Sequence, residues 1–247
     1  MIDIRYRMET KETVFPMTSP RPILTFAIAA AAVGAIAGAL LGGPWTWLHY
    51  ACKPLATALL LLLAARAVAP VSARYRRTIL LGLGFSLLGD IFLMLPMDLF
   101  LAGLGAFLLA HLCYMGAFFA GSDARTRLVS ITPFALFGVA NLVGLLPRLE
   151  NAMRVPVIAY VIALLLMAGF ALARARSLRA QESATSAVAV SARLAAIGAV
   201  FFVASDTLLA WDRFGGSLPL ASLWVLATYF IAQWHIARSV DLQAGGN

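Results

Sequence analysis

The sequence predicts an all-α fold, a polytopic membrane helix bundle of eight transmembrane helices with almost no soluble portion. Three observations carry that prediction. Of 247 residues, 62% are hydrophobic and 12% charged, whereas a soluble domain carries about 25% charged residues. A soluble protein of this length would lack the charge to coat its core, so lipid must be the solvent for much of its surface. Apolar segments recur at the ~20-residue length that crosses a bilayer. The basic residues, finally, gather on alternate connectors.

The segments run roughly over 22–41, 50–69, 78–97, 99–120, 127–146, 155–174, 192–212 and 218–238. Short connectors rich in Gly, Pro and Arg join them, among them GGPWTW, PVSARYRR and FGGS. The third and fourth meet in a tight hairpin at Pro96-Met97-Asp98. The first is too long for a signal-peptide core, which spans about 7–15 residues, and stays as a helix. Residues 1–21 form a cytosolic extension, 22–240 the membrane domain and 241–247 a short tail.

Orientation follows from Lys and Arg, which favour the cytoplasmic side. With the N-terminus inside, 15 of the 19 basic residues are cytoplasmic, and only Lys53, Arg148, Arg154 and Arg213 lie toward the other face. Both termini are then cytoplasmic, and with nothing directing the chain elsewhere a bacterial inner membrane is expected. The formal charge of +8 is explained by loops facing an anionic leaflet, and no nucleic-acid partner is expected. Cys52 and Cys113 make no disulfide framework and read as small buried hydrophobes.

An intramembrane carboxylate is expensive and marks function. Asp90 and Asp206 alone lie well inside apolar segments, and their surroundings match as G-x-x-F-x-x-x-[GS]-D-x-x-L, from Gly82 to Leu93 and from Gly198 to Leu209. The copies lie four segments apart, so both run in one direction, as in a duplicated four-helix unit. At ~1.5 Å per residue both aspartates should sit about 10 Å below the outer boundary. Lys53, Asn141 and Tyr160 fall near the same layer, while His111, Tyr114, Tyr229 and Gln233 lie deeper. Tyr229 and Gln233 share a helix face at i,i+4.

Each supporting residue has a structural alternative. His111 and Gln233 could be interhelical hydrogen-bonding groups. Tyr160 could join Trp45, Trp47 and Trp211 in an interfacial belt. Lys53 could snorkel to headgroups, and Ser86 could bond back to a carbonyl. Gly34, Gly38, Gly103, Gly116 and Gly138 read as packing surfaces. Two buried carboxylates have no such structural use.

The stretches GLGFSLLGDIFLML and FLAGLGAFLLAHLCYMGAF resemble the central signature of the YhhN family of lysoplasmalogenases. AIGAVFFVASDTLLAWDRF and ATYFIAQWHIARS resemble its C-terminal signature, and KPLATALLLLL its early one. The resemblance covers about residues 22–240 and implies hydrolysis of the vinyl ether bond of a lysoplasmalogen held in the bilayer. The products would be a fatty aldehyde and glycerophosphoethanolamine or glycerophosphocholine. Carried over by position, the family's polar residues fall on Lys53, Ser86, Asp90, His111, Tyr114, Ser205, Asp206, Tyr229 and Gln233. Vinyl ether hydrolysis needs a general acid and an anion to stabilise an oxocarbenium ion, which Asp90 and Asp206 could divide. No His, Cys or Glu cluster has metal-ligand spacing and no G-x-S-x-G motif occurs, so neither a metal, another cofactor nor a serine nucleophile is expected. A transporter or lipid-binding protein with a polar intramembrane cavity is the rival reading, and a structural subunit glued by polar residues a third.

Overall fold

The computed structural model describes residues 21–245. Residues 1–20, which carry nearly all of the expected cytosolic extension with Arg5, Arg7 and Lys11, and residues 246–247 lie outside the described residues. Eight α-helices follow one another: α1 (Arg21–Leu41), α2 (Thr46–Ala65), α3 (Ala73–Met94), α4 (Phe100–Phe118), α5 (Ala124–Leu145), α6 (Asn151–Gln181), α7 (Ala187–Ala210) and α8 (Ala221–Arg238). The molecule is an integral membrane helix bundle, and seven of its helices are long and apolar enough to cross a membrane. The eighth, α8, carries Gln233, His235 and Arg238 in its second half and is held by packing along α7.

Several helices begin earlier than the apolar stretches suggest, because polar residues start them. Ser72, Asp123 and Ser186 accept hydrogen bonds from the backbone N–H groups of Tyr75, Thr126 and Ala189, satisfying donors that the first helical turn leaves orphaned. The N–H and hydroxyl of Thr126 hold the Asp123 carboxyl below the usual carboxylate range. As a result α3 starts at Ala73 and ends at Met94, five residues ahead of the expected start and three short of the expected end. The longest helix, α6, has 31 residues, or about 46 Å at ~1.5 Å per residue. Its polar last turns extend beyond any hydrocarbon layer.

The packing closes a ring. Helices α2, α3, α4, α6, α7 and α8 contact one another in that order, and α8 returns to α2. Outside the ring, α1 lies on α2 and α8, and α5 lies on α6. Advancing every helix by four maps the α1–α2, α2–α3, α3–α4 and α4–α6 contacts onto α5–α6, α6–α7, α7–α8 and α8–α2. The packing thus repeats with the sequence motif. Gly82 and Gly198, which open the two copies, play the same part. A Cβ on Gly82 would meet the Tyr114 ring, and one on Gly198 the Ala232 carbonyl at 2.7 Å, so each glycine lets the next helix of its unit approach.

Gly34, Gly38, Gly103 and Gly138 are close-approach points as expected, but Gly116 is exposed and a Cβ there would meet nothing. Cys52 and Cys113 are half-buried and free. At the end of the bundle where the chain leaves α8, Leu242 N–H donates to Ala69 O, and Asp241 accepts from Val68 and Ala69. The start of the tail is therefore clasped to the α2–α3 connector.

Candidate active site

Two polar clusters fill the ring, each centred on one aspartate. In the inner cluster Asp90 is 1% exposed. Its Oδ2 accepts from Thr57 Oγ1 at 2.6 Å and from the Tyr229 hydroxyl at 2.7 Å. Lys53 Nζ lies 3.5 Å from Oδ1, so Lys53 pairs with the carboxylate rather than snorkelling. Oδ1 itself is buried without a hydrogen-bond partner. Behind Tyr229 the donors run in one direction. Tyr114 OH donates to Gln233 Oε1 at 2.8 Å, and Gln233 Nε2 donates to Tyr229 OH at 3.3 Å. Ser86 Oγ meets Tyr114 OH at 3.4 Å. A chain of hydrogen bonds across α3, α4 and α8 therefore ends on one carboxylate oxygen. In low dielectric such a chain rigidifies its members.

The outer cluster joins three helices. Tyr160 on α6 donates to Asp206 Oδ2 at 2.6 Å. His111 Nε2, from α4, lies 2.9 Å from the same hydroxyl and 3.4 Å from the same carboxylate oxygen. Its Nδ1 is buried without a hydrogen-bond partner. Tyr160 is buried and is no interfacial belt residue; Trp45 and Trp47 are exposed and can be. The Phe202 ring stands between the clusters, with its centroid 4.8 Å from His111 and 5.7 Å from Tyr229, edge-on to both.

An apolar cleft meets only one of the two aspartates. It lies among α4, α5, α6 and the ends of α3 and α7, and encloses about 70 Å³. Asn141, Tyr160, Asp206 and Thr207 supply its polar side chains, and the rest of the lining is Leu, Val, Phe, Ala and Gly. Thr207 donates to the Val203 carbonyl. Asn141 donates to Phe137 O and accepts from Trp211 Nε1. Asp206, with 12% of its side chain exposed, is the carboxylate on the wall; Asp90 is not among the lining residues. At the rim Arg213 grips Asp98 with both contacts at 2.9–3.0 Å, and Phe100 packs edge-on against Phe214.

Most of the residues singled out from the sequence are thereby brought together, with two differences. Ser205 is turned away from the carboxylates and donates to the Val225 carbonyl, tying α7 to α8. His111, expected deeper than the aspartates, meets Asp206 directly. Thr57 went unrecognised, although it lies one turn beyond Lys53 on the same face of KPLAT. Among the described residues, no group of three or more His, Cys, Asp or Glu could hold a metal ion.

Comparison with known proteins gives the site its context. A lysoplasmalogenase of Mycobacterium tuberculosis is 35% identical over 164 residues, covering 62% of this chain and 56% of that protein. Lysoplasmalogenase TMEM86B of Rattus norvegicus is 34% identical over 194 residues, 76% of this chain and 70% of its own length. An uncharacterized membrane protein YhhN of Escherichia coli is 44% identical over 72 residues, 29% of this chain and 33% of that protein. The chain thus spans little more than half the length of the mycobacterial relative. No solved structure matches it. The sequence model of the YhhN family matches residues 48–240, which hold both clusters and the cleft, and the chain belongs to that family.

Proposed function

We propose that the chain is a lysoplasmalogenase of a bacterial inner membrane, with both termini cytoplasmic, hydrolysing the vinyl ether of a lysoplasmalogen. The products are a fatty aldehyde and glycerophosphoethanolamine or glycerophosphocholine. The observation that carries the reading is the apolar cleft with Asp206 and Tyr160 at its wall and His111 buried behind them. The names of the relatives agree with it.

In this reading the alkenyl chain lies among the Leu, Val and Phe side chains, with its ether end at Asp206. The Asp206 carboxyl gives its proton to the alkenyl carbon β to the ether oxygen. The resulting oxocarbenium ion takes water at the α carbon. The water's proton passes to the carboxylate, and the hemiacetal collapses to aldehyde and glycerol hydroxyl. General acid catalysis of this kind contributes about 10²–10⁴-fold, through a cation like that of glycoside hydrolysis. Tyr160 and His111 orient the carboxyl. Asp90 supplies fixed negative charge across Phe202 and, through Tyr229, positions the aromatic wall on which His111 rests.

The test is release of long-chain aldehyde from a lysoplasmenylethanolamine by purified protein in detergent. Counterflow of intact lipid in liposomes, without aldehyde, would instead favour the transporter.

A further inference from the structure

A second site is built at the opposite end of the bundle, around the connector between α4 and α5. Arg174 on α6 is 5% exposed, yet no carboxylate among the described residues pairs with it, and its Nη1 is buried without a hydrogen-bond partner. Its guanidinium lies 4.9 Å from the centre of the Tyr75 ring. Its stem runs past Gly121, where a Cβ would lie 3.8 Å from Arg174 Cγ. The neighbouring Ser122 has a buried hydroxyl without a partner. Arg127 donates from Nη2 to the Ser122 carbonyl at 2.8 Å, while its Nε is buried and unpartnered. Its guanidinium stacks 4.1 Å over the Phe119 ring.

Stacking on an aromatic face leaves the in-plane N–H donors unmet. Two guanidinium groups and a hydroxyl thus face one connector with donors to spare. The nearby carboxylate, Asp123, is engaged by Thr126 as the cap of α5. A buried arginine is ordinarily matched by a planar oxyanion that accepts two bonds. The site lies where α4 ends at Phe118 and α5 begins at Ala124, and Tyr75 is in the first turn of α3, at one end of these membrane-spanning helices. Gly121 and Asp123 are exposed and Arg127 half-buried, so the site opens outward.

We infer that Arg174, Arg127 and Ser122 form a binding site for a phosphate group, carried by a lipid headgroup or free in solution. The site is separate from the cleft and does not depend on the activity proposed above. The test uses the full chain, stripped of lipid in a neutral detergent, with its melting temperature followed as dioleoyl phosphatidic acid or inorganic phosphate is added. Dioleoylglycerol, which lacks the phosphate, is the control.

A saturable rise with phosphatidic acid alone assigns the site to lipid, and a rise with inorganic phosphate assigns it to the free ion. Dioleoylglycerol should give none. Arg174→Gln and Arg127→Gln should each move the midpoint at least ~10-fold, the factor expected for one charged hydrogen bond. Arg154→Gln, exposed at the other end, should leave it in place. If Arg174→Gln fails to fold, Arg127→Gln carries the test alone. The inference is overturned if neither phosphate probe shifts the wild type, if dioleoylglycerol shifts it equally, or if the folded variants keep the wild-type midpoint.

Discussion

Replacing Asp206 by Asn separates a chemical from a structural role. The amide has the carboxylate's shape, and its oxygen can still accept from the Tyr160 hydroxyl, now 2.6 Å from Oδ2. The side chain is 12% exposed at the cleft wall, and His111 keeps its contact with Tyr160 at 2.9 Å. Folding should therefore change little. Losing general acid catalysis should lower kcat about 10²–10⁴-fold, equivalent to about 2.7–5.4 kcal/mol of barrier. KM should stay within a few-fold, because the lining that would hold the alkenyl chain is untouched. Aldehyde release from lysoplasmenylethanolamine at saturating substrate measures kcat, and a melting curve on the same preparation checks the fold. If folded Asp206→Asn keeps more than about a tenth of wild-type kcat, the assignment of the proton to this residue fails.

Asp90→Asn should lower kcat, by removing the fixed charge, and stability as well. It strands Lys53 without its counter-charge, and removing one partner of a buried pair costs about 3–5 kcal/mol. Adding Lys53→Met should recover most of the lost melting temperature; no recovery would refute the ion pair. Gly82→Ala should displace Tyr114 from Gln233, lowering both melting temperature and activity, while Gly116→Ala, with open space at its Cβ, should change neither. Val161→Trp, which fills part of the cleft, should raise KM more for long alkenyl chains than for short ones, and equal effects across chain lengths would argue against chain binding there. A reporter active only outside the cytoplasm, fused after Asn247, should remain silent if both termini are cytoplasmic.

The membrane class and the two candidate carboxylates were legible because exclusion from lipid is so costly that Asp90 and Asp206 stand out in apolar runs. The duplicated motif likewise told that α3 and α7 would occupy equivalent places, and the ring of contacts bears this out. Spacing along single helices could not reveal which face each copy turns to the cleft. Asp206 reaches that wall and Asp90 does not, because α5 lies on α6 next to α7, whereas α1 lies on α2 next to α3 and also meets α8. His111 was placed too deep for a related reason: counting residues from an expected helix end ignores where neighbouring helices meet. Thr57 was invisible as a lone hydroxyl in an apolar stretch, and only its distance to Asp90 gives it a role.

The order in which the contacts occur along the chain also bears on how such a protein can be made. Lys53 and Thr57 precede Asp90, and His111 and Tyr160 precede Asp206. During synthesis, which delivers N-terminal segments first, each acid leaves the translocon after most of its partners are already in the bilayer. A lone aspartate within an apolar segment is costly to insert, and a waiting cation or pair of donors offsets that cost at the moment it arises. Only Tyr229, on the last helix, reaches Asp90 afterwards, so the inner cluster is completed when the final segment docks. A ribosome stalled before α8 should therefore leave an inserted but inactive intermediate, with Asp90 paired to Lys53 and open on one side.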